Sequence, residues 1–318
     1  MQMRKNIGRV RMLTKITDTI SRLVVRFPGG MGDVNAYLIE GRNGYTIIDT
    51  GIYAKEAIAI WQQVFASGIK IEKVVLTHMH QDHSGLAKWF QETQGVPIYI
   101  SKYSQLEQAR YQHPKLLEQL NELVRLHGYN EPLQRKLEEY AIYSFTPDGY
   151  FEEGQQIALG DESWEVIWTP GHANDHCCFY QREKQWMIIG DHILQKVSPV
   201  IGLWTGIEED VLSTYFASLE KMKQFDPVLA LPGHGEIMAD MQVRAEEIRS
   251  RHEHRLIQVL KKVQQEEKTA NQVSKEIYGA KYNLTAFMAV LTRFLYLESN
   301  NQVVRNIRNG IAYFTIFD

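Results

Sequence analysis

The run Thr77-His78-Met79-His80-Gln81-Asp82-His83-Ser84-Gly85 constrains this chain more than any other stretch. It follows the short apolar segment Val74-Val75-Leu76 and precedes a segment, Ser84 to Thr93, with helical spacing. Three histidines and an aspartate therefore sit where a strand ends and the chain turns. Burying so many imidazoles beside a carboxylate is costly unless each finds a partner. Divalent metal ions supply one, because neutral imidazole and carboxylate are good ligands for them. The alternating spacing can send His78 and His80 to one metal, and Asp82 and His83 to another. A His-rich polar loop is the bland alternative.

Three further runs weigh against that alternative. Trp168-Thr169-Pro170-Gly171-His172, Ile188-Ile189-Gly190-Asp191-His192 and Leu231-Pro232-Gly233-His234-Gly235 each end a β-rich segment. Each places a ligand-type residue beside glycine just after an apolar strand. Singly, such a run is a plain turn. Together they can converge at one sheet edge.

The surrounding pattern alternates strands and helices. Residues 23–27, 35–39 and 45–48 read as antiparallel strands, with turns at Gly29-Gly30 and Arg42-Asn43-Gly44. Ala54 to Phe65 has apolar residues at helical spacing. Strands follow at 74–76 and 97–100. Residues 101–145 are rich in Leu, Glu, Gln and Lys, with breaks at Pro114, Gly128 and Pro132, and read as two or three inserted helices. Strands return at 164–168, 177–180, 186–189 and 228–231, with a helix over 208–224. A long charged helix spans 241–265. The tail reads as helices at 270–278 and 285–298, then strands at 302–304 and 311–317 around Asn309-Gly310, a strong hairpin signal.

These five motifs, in order, closely resemble those of the metallo-β-lactamase superfamily: Asp49 in Ile48-Asp49-Thr50-Gly51, the H-x-H-x-D-H run at 78–83, His172, Asp191 and His234. The resemblance implies an α+β fold, a four-layer αββα sandwich over residues 20–240, carrying the helical insertion at about 101–148. It implies a dinuclear site with His78, His80 and His172 on the first metal. Asp82, His83 and His234 hold the second, and Asp191 bridges both. Asp49 matches a position that orients a ligand imidazole. Zinc is the first choice, with manganese or iron as alternatives. A hydroxide shared by the two metals would attack the substrate, with Asp82 holding it and shuttling its proton. The tail, 241–318, resembles the branch with a C-terminal winged-helix appendage, which includes the human β-lactamase-like protein 2, an endoribonuclease.

Departures from that family narrow the substrate. No cysteine stands at a metal position, which argues against antibiotic hydrolysis. His192 to Gly202 reads HILQKVSPVIG, without the Gly-Cys-Gly-Arg stretch of the glutathione-thioester hydrolases. Leu194 stands where the acyl-homoserine lactonases have tyrosine. The chain has no room for the extra nuclease domain of the long ribonucleases. Lys+Arg is 35 against Asp+Glu 38, a net charge of −3. A protein dedicated to duplex DNA is far more basic. From Met241 onward 12 basic residues face 8 acids, a modest excess of +4.

The leading expectation is a small-molecule substrate: an ester, thioester or lactone under a helical roof. The alternative is phosphodiester cleavage of single-stranded RNA, with RNA as partner. A non-catalytic metal-binding module ranks third. No stretch approaches the ~18 apolar residues of a membrane helix, so no membrane partner is expected. The first twenty residues lack a secretory pattern, and the two adjacent cysteines, Cys177 and Cys178, form no disulfide framework; both point to the cytoplasm. They read as core residues. His176 is a candidate proton relay or positioning residue, against a structural hydrogen bond. His192 either faces substrate or fills space. His252 and His254 read as solvated, and His113 and His127 as non-catalytic. Tyr103, Tyr111, Tyr140 and Tyr143 either line a pocket or pack the cap. Leu284, Phe287, Met288, Leu291, Phe294 and Leu295 form an apolar stripe that must be buried, under the insertion or in a homodimer.

Overall fold

In the computed structural model, residues 12–26, 32–134 and 137–317 are described. The expected turn at Gly29-Gly30 lies outside them. Strands β1 (Leu13–Lys15), β2 (Ile20–Val25), β3 (Val34–Glu40) and β4 (Tyr45–Ile48) pair antiparallel in succession. Helix α1 (Lys55–Ala66) then returns the chain so that β5 (Ile71–Val75) pairs parallel with β4. Helices α2 (Gln81–Ser84) and α3 (Ala87–Gln94) precede β6 (Ile98–Ser101), and β7 (Gly149–Phe151) closes a seven-stranded sheet.

The second sheet is an antiparallel run of β8 (Gln156–Leu159), β9 (Glu162–Trp168), β10 (Cys177–Gln181) and β11 (Trp186–Gly190). Helix α7 (Val211–Met222) crosses over it and brings β12 (Leu229–Pro232) in parallel beside β11. Helices α4 (Lys102–Gln112), α5 (Leu116–Leu126) and α6 (Leu137–Ala141) form the insertion between β6 and β7.

Period-two alternation sorts the strand residues into layers. Tyr37, Ile39, Ile48 and Val75 of the first sheet meet Trp164, Val166, Phe179 and Ile188 of the second in one core. The opposite face of the first sheet packs on Trp61 and Val64 of α1 and Phe90 of α3. The opposite face of the second packs on Tyr215, Phe216 and Leu219 of α7. The result is helix, sheet, sheet, helix. Cys177 lies in the inter-sheet core and Cys178 on the helix side, both buried as free thiols. Because β4 runs parallel to β5 and β11 to β12, the residues that follow each pair emerge together at one edge. Those residues are Asp49, the 77–83 run, Asp191 and His234.

The tail comprises α8 (Met241–Lys262), α9 (Ala270–Tyr278), α10 (Leu284–Ser299) and a hairpin of β13 (Val303–Arg308) and β14 (Ile311–Ile316). Asn309 and Gly310 both take positive φ, 51° and 74°, as the two-residue turn requires. The expected stripe on α10 is covered within the chain, with Phe287, Met288, Leu291 and Phe294 fully buried. It joins one continuous core with α7 and the second sheet. The tail also grips the insertion. Asn271 donates from Nδ2 to the Gly128 carbonyl at 2.6 Å, and its backbone N–H donates to the His127 carbonyl at 3.2 Å.

His252 departs from expectation. It is buried against Tyr215 and Phe216, because it continues the stripe Met241, Ala245, Ile248, Leu256 and Val259 along α8. Charged neighbours in sequence lie on the other face. His254 is exposed as expected. His127 is buried and stacked on Phe314, its ring centroid 5.8 Å away.

Phe294, fully buried and stacked on Phe314 at 4.3 Å, should reveal how far the tail supports the sandwich. Phe294→Ala is expected to cost about 3–5 kcal/mol of stability, read as a fall in urea midpoint. A chain ending near Ala239 would bare the apolar face of α7 and should be insoluble when expressed. A soluble truncated protein with wild-type unfolding would show the tail to be independent.

Candidate active site

Asp49 closes β4 with φ at +58°, a left-handed conformation that costs a non-glycine residue about 1–3 kcal/mol. Three donors repay it. The backbone N–H of Thr77 donates to Oδ1 at 2.8 Å, and the Thr77 hydroxyl donates to Oδ2 at 2.8 Å. His83 Nδ1–H donates to Oδ2 at 2.8 Å. With its proton committed to Asp49, the Thr77 hydroxyl accepts from His78 Nδ1–H at 2.9 Å.

The same device fixes two more imidazoles. His172 Nδ1–H donates to the Val200 carbonyl at 2.8 Å, and His234 Nδ1–H to the Asp33 carbonyl at 2.8 Å. Four rings thus commit Nδ1–H to an outer acceptor, which leaves Nε2 to face inward as the ligand atom. His80 instead turns Nδ1 inward, 3.1 Å from His78 Nε2 and 3.0 Å from His172 Nε2.

Two clusters result, each with ligand atoms within 4.8 Å of one another: His78, His80 and His172; and Asp82, His83, Asp191 and His234. His234 Nε2 lies 3.2 Å from Asp82 Oδ2 and 3.3 Å from Asp191 Oδ2. His83 Nε2 lies 3.4 Å from Asp191 Oδ1. Asp191 Oδ2 is also 3.5 Å from His172 Nε2, so this carboxylate stands between the clusters. Asp82 Oδ1, His83 Nε2 and Asp191 Oδ1 are buried without any hydrogen-bond partner. Such orphaned atoms are expensive, and in the first cluster three ring nitrogens crowd at hydrogen-bond distance. Both clusters fit metal ions.

Their electrostatics differ. Burial lowers His78 well below the usual imidazole range, and neighbouring imidazoles add to the effect. Burial and His172 bring His80 to about 3, and burial likewise lowers His172. For His83 burial acts downward too, but Asp191, Asp82 and Asp49 together lift it well above the ordinary value. His234, less deeply set, overcomes burial through Asp191 and rises to about 10. Burial opposes the charge on Asp191, but His83 and His234 hold it well below the usual carboxylate range.

Of the roles expected for His176, its contacts fit positioning rather than a proton relay. Its Nε2 accepts the backbone N–H of Asp191 at 3.0 Å, and its Nδ1–H donates to the Thr169 hydroxyl at 2.8 Å. Both nitrogens are engaged, so it positions Asp191. His192 is buried edge-on to Tyr215, ring centroids 5.3 Å apart, and fills space. Thr77 and Thr169 carry no motif of their own, and their roles were not legible. The adjoining glycines explain themselves in two cases. At Gly190, φ +46°, a Cβ would sit 2.5 Å from His176 Nε2, and at Gly233 one would sit 2.3 Å from Asp191 Oδ1.

Above the clusters opens a cavity of about 530 Å³. His80, Asp82, His172, Asp191 and His234 form its floor, while Tyr111, Leu116, Leu120 and Tyr143 of the insertion and Leu284 of the tail supply walls. Tyr111 and Tyr143 stack at 4.8 Å. Tyr103 instead stacks on Trp168 at 4.4 Å and packs the cap onto the sandwich.

Comparison with known proteins agrees with this arrangement. The family model for the metallo-beta-lactamase superfamily matches residues 29–234. A Bacillus subtilis protein named probable metallo-hydrolase YqjP is 30% identical over 86% of this chain and 89% of its own length. An Aspergillus fumigatus protein named atrochrysone carboxyl ACP thioesterase is 26% identical over 79% of this chain and 69% of its own. The Caenorhabditis elegans beta-lactamase-like protein 2 homolog is 26% identical over 86% and 81%. Among solved structures, a metallo-beta-lactamase family protein from Thermus thermophilus superposes with a TM-score of 0.84 at 26% identity, covering 95% of this chain and 100% of that one. With strand-end ligands, tautomer-fixing partners and these relatives in agreement, the chain belongs to the metallo-beta-lactamase superfamily and is a metal-dependent hydrolase.

Proposed function

We propose that this protein hydrolyses small acyl thioesters at a dinuclear centre, with esters and lactones as the neighbouring classes. The observation that carries the reading is the cavity. It is walled by Leu116, Leu120, Trp204, Leu194 and Leu284, and its floor is the His/Asp cluster. An acyl chain fits the apolar wall while the carbonyl reaches the ligands. The thioesterase named among the relatives supports the choice.

His78, His80 and His172 would hold one ion, Asp82, His83 and His234 the other, and Asp191 both. Divalent ions there, zinc foremost, would polarise the carbonyl oxygen and make hydroxide available at neutral pH. Asp82 Oδ1, without a partner in the protein, is placed to orient water and accept its proton. In the reaction the C–S bond breaks, a C–O bond to water forms, and the thiolate takes a proton. Asp49, Thr77 and His176 position ligands and touch no substrate. We assign the chemistry to residues 20–240 and read 241–318, a winged-helix-type unit, as a wall of the pocket. Helix α10, which precedes the hairpin, is buried along most of its length, with Phe287, Leu291 and Phe294 committed to the core.

The test is a panel of thioesters, esters, lactones and single-stranded RNA, assayed with metal content measured. Thioesters should turn over fastest, with activity lost to chelator and restored by zinc. RNA cleavage at physiological salt without thioester turnover would reverse the assignment.

Asp191→Ala should remove one ion and lower kcat/KM by about a thousandfold, since several kcal/mol of transition-state stabilisation goes with it. Metal analysis and kinetics on the same preparation check both. Full occupancy of two ions in this variant would refute the bridge.

The clusters should also bind ions with different pH dependence. Without an ion, His234 titrates near pH 10 and His83 is raised as well, so both carry protons at neutral pH. An ion entering that cluster must expel them, so its affinity rises with pH. His78, His80 and His172 are lowered and already neutral, so that cluster changes little. On acidification the ion at Asp82, His83 and His234 should leave first. Calorimetry in buffers of different ionisation enthalpy should show protons released by one binding event and not by the other. Simultaneous loss of both ions without proton release would contradict this.

A further inference from the structure

A second cavity, larger than the one over the ligands, lies beside it. A groove of about 1130 Å³ runs between α8, the 196–201 loop and the start of α10. It adjoins the active-site cavity, since Val197, Ser198, Pro199, Val200 and Thr285 line both.

Its charge is one-sided. Lys196, Arg251, Arg255, Lys281 and Arg293 line it, against the single acid Glu247. Glu247 is already paired with Arg244 at 2.8 Å. Among the described residues none of the five cations has a carboxylate within ion-pair distance, although Arg244, Arg249, Lys262, Lys268, Arg305 and Arg308 of the same tail all do. Four cations of the tail, Arg251, Arg255, Lys281 and Arg293, thus line one groove together with Lys196 of the loop.

Two of the basic side chains lining it are buried. Arg293 is 7% exposed, and its Nε has no hydrogen-bond partner; other donors meet the Ala289 carbonyl and Tyr278. His252 is 4% exposed, and neither of its ring nitrogens has a partner. A buried guanidinium without a counter-ion is costly, and planar guanidinium forks match phosphate oxygens. A solvated charged face explains exposed Arg251 and Lys281, but not a buried arginine beneath them.

We propose that this groove is a phosphate subsite, which holds the phosphorylated arm of the thiol half of a small thioester while the acyl half occupies the adjoining apolar cavity. The proposal rests on the thioester reading and extends it from the reacting bond to the leaving group. Arg251 and Arg255, one turn apart on α8, stand at the mouth; Arg293 and His252 form the floor. Binding energy from this remote arm would position the carbonyl over the ligands.

The experiment compares hexanoyl-coenzyme A with hexanoyl-N-acetylcysteamine, which share the acyl group and thioester but not the phosphates. The wild-type protein should show a KM at least about tenfold lower for the coenzyme A ester, as charge-assisted contacts would give. In the double variant Arg251→Ala/Arg255→Ala that ratio should fall to within about twofold. These side chains are exposed or half-buried, so folding should survive, and circular dichroism and metal content check it. Calorimetric titration with coenzyme A alone gives an independent readout. Binding that weakens with salt and is lost in the double variant upholds the subsite even if no thioester is hydrolysed, which would sink only the reading it rests on. Equal KM values with no coenzyme A binding would overturn the subsite while leaving thioester hydrolysis standing. Tight binding and cleavage of a single-stranded RNA oligonucleotide, with none of coenzyme A, would overturn it in favour of an RNA path.

Discussion

One buried carboxylate, Asp49, organises both ligand clusters. Directly it fixes the ring of His83; through the Thr77 hydroxyl it fixes that of His78. One residue thus sets a tautomer in each cluster, while its link to the Thr77 backbone N–H locks the end of β4 to the end of β5. The left-handed backbone at Asp49 follows from this triple demand. The carboxylate must face sideways across the strand ends, and an extended residue would direct it into the sheet. The other two rings are fixed independently of it, His172 by the carbonyl of Val200 and His234 by that of Asp33.

The chain surrounds this edge with material from three separate segments. The insertion supplies aromatic and leucine walls, the loop after β11 supplies Leu194 to Val200, and the tail supplies Leu284 and Thr285. The insertion and the tail are bound to each other through Asn271 and Gly128, and through the packing of Tyr129 on Phe287, centroids 5.0 Å apart. The cavity is therefore as rigid as the contact between insertion and tail. A sandwich alone would present the ligands on an open edge, where water competes for every polar contact.

Much of this was legible beforehand because the ligands follow strands whose apolar runs announce themselves. The motifs lie at strand ends, and period-two alternation placed Cys177 and Cys178 on opposite faces. The hairpin turn at Asn309-Gly310 was readable from two residues whose backbone preference is narrow. The short edge strands β1, β7 and β8 were not seen, since polar residues such as Gln156 and Lys15 dilute their pattern. His252 hides its burial for a related reason. Its immediate neighbours are charged, and only the three- and four-residue spacing reveals its place in an apolar stripe. His176 was visible as a histidine near the cleft, but its role depends on a backbone N–H fifteen residues away. Backbone acceptors such as Val200 leave no trace in side-chain chemistry at all.

The whole-chain charge illustrates the same point with a physical consequence. A net −3 says little about partners, because it averages two opposed arrangements. Asp82 and Asp191 concentrate negative charge at the ligand edge, where a bound metal ion would neutralise it. Lys196, Arg251, Arg255, Lys281 and Arg293 concentrate positive charge in the adjoining groove, where no protein carboxylate among the described residues does. Only in three dimensions do a ligand edge and a cation-lined groove share a wall. On the proposed reading, a substrate that spans both pairs an electrophilic carbonyl with an anionic arm, and that pairing constrains its chemistry more tightly than either feature alone.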